Sequence, residues 1–110
     1  MYFVIIATSH ELYEHEKRNI ENLVNMRVEG IIACLSQETT DYRHFTTLSD
    51  INMPVVLFDR VCLPELFSTV VADGVQSAQK ATQHLLDNGS RRIAFIGGAN
   101  HLDIVKRRKH

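Results

Sequence analysis

The sequence holds few residues that would commit it to a special class. Only two cysteines occur in 110 residues, Cys34 and Cys62. Their spacing fits no metal motif, and two thiols do not make a disulfide framework. Cys34 lies in the apolar run Ile31-Ile-Ala-Cys-Leu35, which predicts a buried, reduced thiol. No charge dominates: 12 basic residues face 13 acidic ones, for a net charge of −1. That balance excludes the basic surplus of a dedicated nucleic-acid binder. No apolar run approaches the ~18 residues of a membrane span. No basic segment precedes Tyr2-Phe-Val-Ile-Ile-Ala7, so no secretory signal is expected there.

The familiar catalytic patterns are missing as well. The six histidines form no H-E-x-x-H array. His10 and His15 stand five apart, on different faces of a helix, which excludes a shared zinc ion. There is no G-x-S-x-G elbow. Gly97-Gly-Ala-Asn100 lacks both the G-x-G-x-x-G spacing and the lysine of a phosphate loop, and reads as a tight turn after a strand. No cofactor is implied. The basic run Lys106-Arg-Arg-Lys109 has no interleaved aromatics and reads as a solvated helical turn.

What is present is alternation. The runs Tyr2–Ala7, Ile31–Leu35, Val55–Phe58, Thr69–Ala72 and Arg92–Ile96 are short and β-rich, as buried parallel strands are. Between them lie helical patterns at Glu11–Arg27, Asp41–Ile51 and Val75–Asn88, with a further one beginning at Leu102. Ser9 is placed to cap the first helix. In the third, Val75, Ala78, Ala81, Thr82, Leu85 and Leu86 form one stripe, and Asn88-Gly89 supplies a stop. The expected fold is α/β with a parallel sheet. A composition of 45% hydrophobic and 23% charged residues suits one ordinary globular body.

In such sheets ligands bind beyond the carboxyl ends of the strands. The residues placed there include Ser9, His10, Ser36, Gln37, Asp59, Arg60 and Asn100. They are small and polar, as a pocket for a hydroxylated molecule requires. Asp59 is the sharpest candidate. A carboxylate directly after Val55–Phe58 can accept two hydroxyl hydrogen bonds from a diol. The plainer possibility is a loop aspartate that caps a backbone amide.

Several of these segments resemble the LacI/GalR family of bacterial transcription regulators. Val28-Glu-Gly-Ile-Ile32 is similar to that family's Val-Asp-Gly-Ile-Ile. Met53-Pro-Val-Val-Leu-Phe-Asp-Arg60 is similar to its Ile-Pro-Val-Val followed by Asp-Arg. Asp73 and Ala81–Gly98 resemble its Asp-Asn, His-Leu and Gly-His-Arg-Arg-Ile-Ala-Phe-Ile-Gly signatures. Gly74 stands where asparagine is common, and Ser90 where histidine is.

The resemblance implies a periplasmic-binding-protein-like (type I) core that binds a sugar or related effector and dimerises. It places residues 1–72 in the N-terminal subdomain and residues 73–110 at the start of the C-terminal one. It strengthens Asp59 as a pocket residue, beside Ser9, Ser36, Arg60 and Asn100, which the strand ends already place on the ligand side. It adds Arg108, with Arg107 as the alternative, because an arginine early in that helix reaches the ligand in relatives. It further implies a cytoplasmic regulator, a repressor, that meets operator DNA through a headpiece not contained in this chain. An enzyme is not expected. The rival readings are a periplasmic sugar-binding protein of a transport system and an enzyme on a flavodoxin-like sheet.

Two structural expectations follow from the same resemblance. The surface around Tyr13, Lys17 and Ile20 should face a second chain. The family's first strand, which lies between Tyr2–Ala7 and Ile31–Leu35, has no counterpart here. Those two strands should then become adjacent, or should pair with strands of another chain.

Overall fold

The computed structural model describes residues 1–97. Three parallel strands form its sheet: β1 (Ile31–Ala33), β2 (Val55–Phe58) and β3 (Ser68–Val70), in the order β1-β2-β3. Ile31 lies opposite Val55, and Val56 opposite Ser68, so β2 is the central strand. Helices α1 (Tyr13–Asn25), α2 (Arg43–Asp50) and α3 (Gly74–Asp87) complete the elements.

The sheet is covered on one face. Side chains alternate along a strand, and here one parity is buried: Ile31 and Leu35 after it, then Val55 and Leu57. They meet Ile20 of α1 and Phe45 and Leu48 of α2, with Cys62 and Phe67 from the β2–β3 loop. The opposite parity is open to solvent, with Ile32 77%, Phe58 43% and Val70 63% exposed.

All three helices stop in the same way. The residue after the cap takes positive φ in each: Arg27 (56°), Asn52 (55°) and Gly89 (90°). The two amides that follow reach back to the last turn, as in Val28 N–H to Leu23 and Met53 N–H to Leu48. Ser90 N–H to Leu85 completes the set. This is the Schellman closure, and only Gly89 adopts it without a steric penalty. Ahead of α2, Asp41 accepts from the Arg43 amide and guanidinium. That cation holds the Asp41 carboxyl down to about 2.

Several sequence expectations meet a different outcome. Tyr2–Ala7 and Arg92–Ile96 form no strand, and their apolar side chains stand largely exposed. A strand exists through its ladder, and neither segment has a neighbouring strand to pair with among the described residues. Tyr2–Ala7 therefore does not become adjacent to β1, which ends the sheet. Ser9 does not cap α1. The cap position is Leu12, without a side-chain hydrogen bond, and Ser9 contributes only its carbonyl to the Leu12 amide at 3.1 Å. The helix expected from Leu102 lies outside the described residues.

Helix α3 is capped by Asp73, whose Oδ1 accepts from the Gln76 amide at 2.9 Å. Its apolar stripe is open, with Leu85 and Leu86 both exposed. An Asp73→Ala variant should lose about 1 kcal/mol of stability. Denaturant unfolding checks this, and no change would mean that the cap does not hold the helix start.

Candidate functional site

Three chain segments converge beyond the carboxyl ends of the strands: residues 8–12, 34–39 after β1, and 59–60 after β2. Their meeting point is the ion pair of Glu11 and Arg60. Arg60 Nη1 donates to Glu11 Oε2 at 2.5 Å and Nη2 to Oε1 at 2.6 Å, a two-pronged grip. The Gln37 backbone amide also donates to Glu11. The Arg60 bonds hold the Glu11 carboxyl below its ordinary range, and Glu11 in turn raises Arg60. Arg60 is further anchored through its carbonyl, which accepts from Leu35 N–H at 3.1 Å.

Asp59 sits beside this pair with φ of 58°. Its amide donates to the Val70 carbonyl at 3.0 Å, so β3 fixes its backbone. Its side chain is exposed and has no hydrogen-bond partner among the described residues. It therefore does not cap a backbone amide. His10 (52°) and Glu11 (64°) also take positive φ. Left-handed non-glycine residues are uncommon, and they gather at sites whose surroundings hold them there.

Ser36 is placed differently. It is buried, its amide donates to Glu16 Oε2 at 2.5 Å, and its hydroxyl meets Thr39 Oγ1 at 2.6 Å. Thr39 donates onward to Glu16 Oε1 at 2.8 Å, and His44 Nε2 lies 2.7 Å from the same oxygen. Glu16 thus ties the loop after β1 to both α1 and α2. With three donors around it the carboxylate is the only acceptor. That fixes the hydrogen on His44 Nε2 and directs the Ser36 hydroxyl hydrogen toward Thr39. The His44 Nδ1 is buried with no hydrogen-bond partner among the described residues.

Nothing in the sequence reading pointed to Glu16, Thr39 or His44. The available signal was Glu16 itself, a charged residue four positions before Ile20 on the apolar stripe of α1. Cys34 is half-buried, and the fully buried free thiol is Cys62. Burial pushes the Cys62 thiol up to about 12, so it stays protonated and unreactive at neutral pH. Asn100 and Arg108, the remaining candidate residues, lie outside the described residues. Between α1 and α2 runs a groove bordered by Tyr13, Lys17, Ile20, Arg43 and Thr47. No helix of the described residues is long and apolar enough to cross a membrane. They also contain no cluster that could hold a metal ion.

A one-sided parallel sheet with polar loops at its carboxyl edge defines an α/β ligand-binding fold. The whole chain, residues 1–110, matches the family described as periplasmic binding proteins and sugar binding domain of LacI family, and it belongs to that family. It is 30% identical over 110 residues to catabolite control protein A of Priestia megaterium, spanning 96% of this chain and 32% of that protein. It is 30% identical over 97 residues to the ribose operon repressor of Halalkalibacterium halodurans, spanning 88% of this chain and 28% of that one. The crystal structure of transcription regulator CcpA of Lactococcus lactis superposes with a TM-score of 0.81 at 27% identity. That match covers 96% of this chain and 38% of the other. These relatives are LacI-family regulators of transcription, not enzymes. The chain spans about a third of their length.

Proposed function

We propose that this chain is the effector-side part of a LacI-type transcription regulator, which binds a sugar or similar hydroxylated molecule at the rim formed by residues 8–12, 34–39 and 59–60. The observation that carries the reading is the Asp59 carboxylate. It is exposed, has no partner among the described residues, and is held by a fixed backbone at the carboxyl end of the central strand. Free carboxylate oxygens at such an edge are acceptors for a pair of hydroxyl groups. Arg60 follows it in the chain, and Ser9 belongs to the 8–12 segment of the same rim. Ser36 supports the rim from below through Glu16. Asn100 and Arg108 would complete the ligand shell.

Residues 1–72 form the N-terminal subdomain on this reading, and residues 73–110 begin the C-terminal one. Two features support that boundary. The buried cluster is built entirely from residues before Asp73, and the apolar stripe of α3 is left open for a different body. The complete protein would act in the cytoplasm as a homodimeric repressor, meeting operator DNA through a separate headpiece. Effector binding would favour one arrangement of the subdomains and so change DNA affinity. The groove bordered by Tyr13, Lys17 and Ile20 is the surface offered to the second subunit.

Calorimetric titration of the full-length protein with a panel of sugars tests the reading. Asp59→Ala should weaken the bound sugar by about 1.5–3 kcal/mol, as for a hydrogen bond to a charged group. Folding stability should hardly change, because the side chain is exposed and makes no hydrogen bond among the described residues. An unchanged affinity, or a parallel fall in melting temperature, would remove Asp59 from the site.

A further inference from the structure

Arg60 is the only cation that the described rim brings among its candidate ligand residues, and its hydrogen-bonding fork is already filled. A guanidinium offers a planar pair of donors suited to one carboxylate or phosphate. Here Glu11 takes that position, with both terminal nitrogens engaged at 2.5 and 2.6 Å. The Arg60 side chain is only 22% exposed, so little of it remains open to another anion. Glu11 is not a chance surface partner. Its residue is set by a left-handed backbone, as is His10 before it. Its carboxylate also receives the Gln37 amide from the loop after β1. Two segments besides its own therefore hold it in place.

The charge balance of the rim follows from this pairing. Glu11 and Arg60 cancel one another. Glu38 accepts from the Tyr13 amide at 3.0 Å but keeps its charge, because that donor is neutral. Asp59 is left as a carboxylate with no ion-pair partner among the described residues. An incoming phosphate or carboxylate would have to displace Glu11 from Arg60 and then lie close to two acidic side chains. A neutral polyhydroxyl molecule meets no such opposition and finds acceptor oxygens.

We infer that Glu11 is a built-in carboxylate stopper on Arg60, which closes that guanidinium to phosphate and carboxylate groups and makes this part of the edge favour uncharged polyhydroxyl ligands. The inference rests on the rim being the effector site, but the stopper itself is a property of two residues and is tested apart from any sugar.

The experiment follows the Arg60 side-chain Nε–Hε NMR signal of the full-length protein, assigned by its loss in Arg60→Lys, during titration with inorganic phosphate near neutral pH. In the wild type the signal should stay put through millimolar phosphate. In Glu11→Gln it should move and saturate. A saturable shift in the wild type overturns the inference, and so does a flat signal in a folded Glu11→Gln. Should that variant fail to fold, the wild type at acidic pH replaces it. Glu11 holds its charge to below the ordinary carboxylate range and loses it as pH falls further, while phosphate is still a monoanion. A phosphate-dependent shift appearing only there supports the stopper, and its absence overturns it.

A second arm compares fructose with fructose 1-phosphate by calorimetry. Glu11→Gln should bring roughly a tenfold or greater gain for the phosphorylated sugar, the factor expected of one charge-assisted contact. If neither sugar nor any other polyol binds the wild type, the effector reading fails while the phosphate titration still judges the stopper.

Discussion

Glu16→Ala is expected to lower folding stability by about 3–5 kcal/mol, the range for removing one partner of a buried charged cluster. The loss comes less from the missing attraction than from what is left behind. The Ser36 amide, the Thr39 hydroxyl and His44 Nε2 all direct hydrogens at one carboxylate. Without it the Ser36 amide and His44 Nε2 are buried donors with no acceptor, while Thr39 keeps only its contact with the Ser36 hydroxyl, and each unsatisfied group costs about 1–3 kcal/mol. A change of tautomer does not rescue His44, because its other nitrogen is also buried without a partner among the described residues. Glu16→Gln should recover only part of the loss. Its oxygen can serve Thr39 and His44, but its NH2 then opposes the Ser36 N–H, donor against donor. Urea unfolding of the full-length protein orders the three: wild type, then Gln, then Ala. An Ala variant within 1 kcal/mol of wild type would show that water reaches these groups and that the cluster does not bind the loop after β1 to the helices.

The cluster also explains what reading the chain could and could not give. Val55–Phe58 was legible to the residue, because a run of apolar, β-rich side chains after Pro54 has no competing interpretation. The helices were legible at their centres and blurred at their ends. Gly89 announced its stop, whereas Arg27 and Asn52 take the same left-handed position without the residue that would advertise it. Asn52 carried a weak signal, since asparagine tolerates that region. Arg27 carried none. Tyr2–Ala7 and Arg92–Ile96 have good strand composition, yet composition describes a preference, and a strand needs a ladder beside it. The carboxyl-edge placement of Asp59 and Arg60 followed from topology alone. The pairing of Arg60 with Glu11, 49 positions apart, did not, because local pattern carries no information about which distant side chain arrives at a given fork.

Glu16 shows the limit most clearly. On the helical stripe of α1 it occupies a position where an apolar residue would be expected. A charged residue there normally marks the edge of the buried face. Only the arrival of Ser36, Thr39 and His44 from two other segments turns it into an interior group. The same loop that Glu16 holds carries Gln37 and Glu38, whose contacts lead to Glu11 and Tyr13. Core and rim are therefore mechanically continuous. A ligand that moved the loop after β1 would have to strain a buried hydrogen-bond cluster, which favours a rim set before the ligand arrives.

Phe45→Ala should cost about 3–5 kcal/mol, as deletion of a fully buried aromatic does. The Phe45 ring has no solvent exposure. It lies with its centroid 4.5 Å from that of His44 and 6.4 Å from that of Phe67, in an edge-on arrangement with the latter. It therefore joins α2 to the β2–β3 loop at the place where the apolar cluster meets the Glu16 network. The site cannot collapse cheaply. On one side are strands fixed by their ladder, and on the other is a histidine held by its hydrogen bond to Glu16. The cavity would remain, and a remaining cavity is what sets the upper part of this range. Phe58 provides the control, since it is the same residue type on the other face of the same sheet and is 43% exposed. Phe58→Ala should cost less than about 1 kcal/mol, because its ring is already partly in water. The two variants are compared by denaturant unfolding of the full-length protein. Equal losses would mean that a further segment of that protein buries the Phe58 face as deeply as α1 and α2 bury Phe45. A negligible loss at Phe45 would contradict the one-sided core itself.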